Sequence, residues 1–230
     1  MIGSIAALAL ATTLFVGGHF LLSHALRAPL RKALGERGFL ALYALLVGAA
    51  FAWMLFAYGA APRSELWGKA EWMRWPLILL MLPASILLVC GLAAPNPSLV
   101  GREALLARRE VGSGILAVTR HPMNWGIGLW ALGHLIMNGE AATVILTGGT
   151  ALLALAGSWA QDRRKVVAAG APWQRFAAAT SFFPFVAIAQ GRARFSLREI
   201  GYSRLAAGVL LYYALLHGHR YVIGVSPLGA

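Results

Sequence analysis

Charge and sulfur are scarce in this sequence. Only 12% of its 230 residues are Asp, Glu, Lys or Arg, about half the share of an ordinary soluble domain. The eight acidic residues are Glu36, Glu65, Glu71, Glu103, Glu110, Glu140, Asp162 and Glu199, most of them in polar stretches beside basic residues. No pair lies inside an apolar run. That removes paired-carboxylate hydrolysis, which needs two carboxylates flanking one bond, and argues against ion transport driven by intramembrane carboxylates. The single cysteine, Cys90, excludes an internal disulfide and any cysteine-built metal site. Its reading is a small buried side chain. The sequence also has no phosphate-binding glycine loop, fixed-period repeat or long low-complexity linker.

What it has in abundance is apolar side chains, at 59% of the residues. Apolar runs near the ~18–20 residues that cross a bilayer occupy 2–23, 39–58, 75–94, 141–160 and 204–223, and a shorter one fills 123–138. The short run meets the next at the polar break Asn138-Gly139-Glu140, so the two form a helical hairpin. Backbone groups in lipid must be satisfied internally, which leaves helices as the spanning form. The expectation is an all-α integral membrane protein. It is a six-helix transmembrane bundle in one domain, residues 1–230, with a hairpin of spans 4 and 5 and an interfacial inner segment over 161–203. The first run has no basic residues before it and is read as a retained helix rather than a cleaved leader.

The cations set the topology. With the N-terminus outside, the inner loops hold Arg27, Arg31, Lys32 and Arg37, then Arg102, Arg108, Arg109 and Arg120, then Arg163, Arg164, Lys165, Arg175, Arg192, Arg194, Arg198 and Arg204. That is 16 of the 20 Lys and Arg, which favours both termini outside. The net charge of +12 is accounted for by juxtamembrane cations facing lipid headgroups and calls for no nucleic acid. The cluster Thr180-Ser181-Phe182-Phe183-Pro184-Phe185, beside many arginines, fits a segment lying at headgroup level.

His19 and His134 lie deep inside apolar runs, where an ionisable group is costly without a partner and marks a candidate site. At helical spacing, Ile127, Trp130, Ala131, His134 and Asn138 share one stripe, and Thr12, Phe15, Val16, His19, Leu22, Ser23 and Leu26 share another. Neutral imidazoles from two helices suit haem iron in a bundle core, with Arg27, Arg31, Lys32 and Arg120 available to haem propionates. The plainer alternative is that each imidazole hydrogen-bonds a carbonyl or a polar side chain on a neighbouring helix. His219 is a second candidate partner for His134, whereas His24 and His217 fit solvated or interfacial positions. Arg120-His121-Pro122 opens the hairpin, and a basic pair at a proline-led helix start suits a carboxylate or phosphate, or a charged interfacial anchor.

Taken together, several blocks resemble the NnrU family over nearly the whole chain: Gly18-His19-Phe20-Leu21-Leu22-Ser23-His24, Leu26-Arg27-Ala28-Pro29, Gly35-Glu36-Arg37-Gly38, Arg120-His121-Pro122, Leu129-Trp130-Ala131-Leu132-Gly133-His134, Asp162-Arg163-Arg164, the Thr180 to Phe185 cluster and Gly224-Val225-Ser226-Pro227. The resemblance implies a bacterial inner-membrane protein linked, in some members, to denitrification. The similar zeta-carotene isomerases hold a b-type haem through two histidines, which match His19 and His134. Ala131 stands where those isomerases have a cysteine.

The expectation is therefore a haem b site made by His19 and His134, with Arg27, Arg120, Trp130 and Asn138 around it. It would support nitrogen-oxide metabolism or isomerase-like redox chemistry on a lipophilic small molecule. The hairpin also resembles membrane isoprenylcysteine methyltransferases, which gives the alternative of an S-adenosylmethionine site near Arg120, His121 and Asp162. Gln161-Asp162-Arg163-Arg164 stands where those enzymes have paired glutamates, and Asn124 where a tyrosine is usual. A third reading is a non-enzymatic factor that assembles a respiratory or denitrification enzyme.

Overall fold

A computed structural model describes residues 3–107 and 112–229. Arg108 and Arg109, counted above among the inner cations, lie outside the described residues, as does Glu110. Among the described residues ten α-helices follow in order: α1 Ile5–Ser23, α2 Arg27–Ala60, α3 Arg74–Ala93, α4 Ile115–Val118, α5 Pro122–Met137, α6 Ala141–Ala169, α7 Ala171–Ala179, α8 Val186–Ala189, α9 Leu197–Ile200 and α10 Tyr202–Ile223. Among the described residues there is no strand, only one isolated bridge between Glu65 and Glu140. The protein is all-helical, as composition demanded. Among the described residues four helical stretches are long and apolar enough to cross a membrane: Ile5–Ser23, Arg27–Ala60, Glu71–Ala93 and Ala141–Ala169. Helix α5, with 16 residues, spans only about 24 Å at 1.5 Å per residue.

The chain forms two compact units. The first comprises Met1–Glu71 and Ala131–Gly157. Ser4 starts α1, its Oγ accepting the Ala7 N–H at 3.1 Å, which satisfies one of the amides a helix start leaves unpaired. Small residues let the helices approach: Leu8, Ala11, Met54, Ala57, Ala61, Ala142 and Leu146 pack as one buried cluster from α1, α2 and α6. Farther along, a Cβ at Gly149 would lie 2.4 Å from Thr12 Cγ2. Helix α2 is interrupted at Gly35 (φ 70°, ψ 175°), a left-handed position that glycine adopts without steric cost. The loop after α2 is tied to the α5–α6 turn: Leu66 N–H donates to Gly139 O, and Ala141 N–H to Ser64 O, each at 2.8 Å. Arg63 pairs with Glu140 at 2.9 Å beside them.

The second unit comprises Trp72–Trp130 and Ser158–Ala230. Its core gathers Leu87, Cys90, Ala94, Leu106, Ile115, Leu116, Val118, Trp173, Phe176 and Ile200, and Cys90 is fully buried, as expected. Glycines set how closely its helices meet. A Cβ at Gly126 would lie 2.6 Å from Ala84 O and 2.7 Å from Leu88 N, and one at Gly91 only 2.3 Å from Met123 N. These obstacles are backbone atoms, which cannot swing aside. Gly126→Ala should therefore cost about 2–3 kcal/mol by overpacking, lowering the thermal midpoint by roughly 6 °C. Gly48→Ala, where nothing lies within 4 Å, should leave the midpoint unchanged or raise it, because alanine is the better helix former. Equal midpoints for the two variants would refute this account of the α3–α5 contact.

Candidate functional site

A buried polar cluster in the second unit grows from the Arg120-His121-Pro122 entry to α5. Pro122 begins the helix, where its missing N–H costs nothing, and His121 and Pro122 are buried. Asp162, on the polar extension of α6, accepts from both basic residues: Arg120 Nε donates to Oδ2 and His121 Nε2 to Oδ1, each at 2.6 Å. The anion that this basic pair holds is thus the chain's own carboxylate. Burial pushes the His121 imidazole below its ordinary value, against the pull of Asp162, so at neutral pH it is a neutral donor rather than a second cation. With both oxygens occupied, the trio is a closed ion network. One turn along each helix, Asn124 Nδ2 donates to Ser158 Oγ at 2.6 Å.

The network extends in two directions. Toward the Asn96-Pro97-Ser98 turn, Ser98 Oγ donates to Arg120 O at 2.7 Å, Gln161 Nε2 to Ser98 O, and Lys165 Nζ to Pro97 O at 2.6 Å and Ser98 O at 3.1 Å. Toward the aromatic cluster, Phe182 O accepts from Thr119 Oγ1 at 2.7 Å and from Trp125 Nε1 at 2.8 Å, while Arg120 N–H donates to Ser181 O. Two of the family-like blocks, the Arg-His-Pro entry and the Thr180 to Phe185 cluster, are therefore one structural feature.

Sequence reasoning named Arg120, His121 and Asp162 together, but missed Lys165, Ser98, Thr119 and Trp125. A signal for Lys165 was present, because Ser158, Gln161, Asp162 and Lys165 fall at i, i+3, i+4 and i+7 on one helix face. Counting Lys165 among the inner loop cations hid that stripe.

The two intramembrane histidines both belong to the first unit. His19 is half-buried, with Nδ1 2.8 Å from Phe15 O and its ring edge-on to Phe15 and Tyr43. A carbonyl only accepts, so Nδ1 carries the proton and Nε2 the lone pair, the arrangement in which metal-bound imidazoles are usually held. His134 is half-buried on α5. The partner for His19 is thus a carbonyl of its own helix rather than of a neighbour.

The depths of these histidines differ. His134 stands nearer the α5–α6 turn, and His19 lies past the level where Gly149 meets Thr12, about 10 Å away along the helix direction at 1.5 Å per residue. The donor chemistry of His19, with Nδ1 holding the proton and Nε2 the lone pair, is of the kind that a haem iron takes.

Other candidates have partners of their own. Arg27 lies over the Phe39 ring at 5.2 Å, and Asn138 Oδ1 accepts the Glu140 N–H at 3.0 Å, capping the turn. Trp130 is half-buried in the second unit. Arg120, expected at a propionate, is committed to Asp162. His219 Nδ1 is bound to Val225 O at 2.7 Å, at the end of α10. His24, expected in a solvated or interfacial position, has its Nδ1 on Phe20 O at 3.1 Å and a buried Nε2 without a hydrogen-bond partner among the described residues. Among those residues no group of three or more His, Cys, Asp or Glu side chains is placed to hold a metal ion.

Comparison with known proteins gives a consistent result. The chain is 29% identical over 118 residues to a chloroplastic 15-cis-zeta-carotene isomerase of Zea mays, covering 47% of this chain and 32% of that protein. It is 34% identical over 80 residues to the corresponding isomerase of Arabidopsis thaliana, covering 35% and 22%. The chain thus spans about a third or less of the length of these relatives. No solved structure matches it. The model of the NnrU protein family matches residues 7–227, and the chain belongs to that family.

Proposed function

We propose that this protein is a six-span inner-membrane member of the NnrU family, with both termini outside, that performs isomerase-like chemistry on a lipophilic substrate with a b-type haem held by His19 and His134. Helices α5 and α10 are the fourth and sixth spans in chain order, beside the four long apolar helices. The observation that carries the reading is the Nδ1–H of His19 on Phe15 O, which leaves the Nε2 lone pair as the atom that would bind the iron. The similarity to two 15-cis-zeta-carotene isomerases points to a conjugated, membrane-dissolved substrate. A bound haem supplies a redox-active iron able to exchange an electron with such a substrate. The chain's own contribution is to hold the imidazoles neutral and oriented, to keep the surroundings apolar, and to offer Arg27 to a propionate. A link to nitrogen-oxide metabolism belongs to the same reading, through the redox chemistry of the iron.

The test is the visible spectrum of protein purified from haem-replete cells. The wild type should show a Soret band, His19→Ala and His134→Ala should each lose it, and His24→Ala should keep it. A wild-type protein without the band, or one whose band survives both ligand substitutions, would sink the proposal.

A further inference from the structure

The geometry points to residues 183–198 as a docking surface for an anionic lipid leaflet, with the rings of Phe183 and Phe185 entering the acyl boundary and the guanidinium groups of Arg194 and Arg198 taking phosphate headgroups. This inference does not rest on the His19 and His134 site.

The rings are fixed rather than merely exposed. Phe182 is buried against Trp125 and Trp159, and its carbonyl is pinned by Thr119 and Trp125. Ser181 Oγ donates to Phe183 O at 2.8 Å and accepts the Ala187 N–H at 3.0 Å, while Phe185 N–H donates to Val118 O at 2.8 Å. This bracing turns the chain outward and holds Phe185 at φ 66°, the one left-handed non-glycine residue among those described. Phe183 and Phe185 are each 56% exposed, and Phe195 and Leu197 about half exposed. An apolar surface that the fold itself holds open is unlike scattered exposed side chains and marks an interaction face.

Charge identifies what covers it. From Arg163 to Arg198 the sequence has seven cations and no acidic residue. Several already have work within the fold. Arg192 braces Ala178 O, Thr180 O and Gln190, Lys165 is buried, and Arg163 lies over Trp159. Arg194 and Arg198 are exposed, and among the described residues neither has an ion-pair partner. Cations beside exposed aromatic rings, in a chain already committed to a bilayer, match an anionic headgroup layer over an acyl boundary.

The experiment uses the full chain in detergent, titrated with phosphatidylglycerol or with phosphatidylcholine of the same acyl chains, and reads the thermal midpoint. Phosphatidylglycerol should raise it by about 5 °C more than phosphatidylcholine, and about 0.5 M salt should remove the difference. The double variant Arg194→Gln/Arg198→Gln should lose the difference while keeping its midpoint in detergent alone, and Phe183→Ser/Phe185→Ser should reduce the gain from both lipids. Equal gains from the two lipids, or a phosphatidylglycerol preference that survives either the salt or the arginine substitutions, would overturn the assignment. If the arginine variant does not fold, the salt titration of the wild type decides alone.

Discussion

Asp162→Asn should be among the most damaging single substitutions in this protein, lowering stability by about 3–5 kcal/mol and the thermal midpoint by roughly 10 °C. The asparagine keeps the shape and one acceptor oxygen but removes the charge. The Arg120 guanidinium, 15% exposed at the side chain, then has no counter-ion, and the His121 Nε2–H faces a group that may be rotated as a donor or an acceptor but cannot serve both neighbours as an anion. Removing one partner of a buried pair leaves the desolvation cost in place without the attraction that offset it. The triple variant Arg120→Leu/His121→Phe/Asp162→Leu separates this from a simple packing loss. With every charged and polar member gone together, most of the midpoint should return. An Asp162→Asn protein that melts with the wild type would mean that Arg120 and His121 find other acceptors, and the closed network would be refuted.

The features legible in the sequence were those governed by composition and helical period. Helices cover all six apolar runs, and the Asn138-Gly139-Glu140 break is a capped turn because Asn138 can accept the amide two residues on. The sequence brings Arg120, His121 and Asp162 together only through their resemblance to a methyltransferase site, not through charge pairing. The purpose of the pairing was not legible, since contacts between residues 42 apart depend on where two helices cross. Nor was the inward and outward division of Phe182, Phe183 and Phe185. Three aromatics around a proline have no period to assign faces; Phe182 O is held by the Thr119 and Trp125 donors, 57 to 63 residues away, and the backbone of Phe183 and Phe185 by Ser181 and Val118. Lys165 was misplaced for a third reason. A positive-inside count treats every inner cation as solvated, and this one is 2% exposed.

Lys165→Met should cost less than Asp162→Asn, about 2–3 kcal/mol, and the difference between them is informative. Methionine retains an unbranched stem of similar length against Trp173, whose ring lies 5.0 Å from the Lys165 ammonium, so packing is largely kept. The donor is lost. Ser98 O retains the Gln161 amide, but Pro97 O, which accepts from Lys165 at 2.6 Å, is left unpaired at a buried proline. Glu103, the anionic neighbour at 3.6 Å, has a side chain 39% exposed and is taken up by water. No charge is therefore stranded in the interior by this substitution, whereas Asp162→Asn strands one. If burial of uncompensated charge governs this cluster, the midpoint should fall further for Asp162→Asn, and hydrogen exchange in Lys165→Met should accelerate chiefly at the amides of 96–102, the turn that Lys165 holds. The reverse order of midpoints would show that the tie from α6 to the Asn96-Pro97-Ser98 turn, and not the ion network, is what fixes the α5–α6 pair at this end.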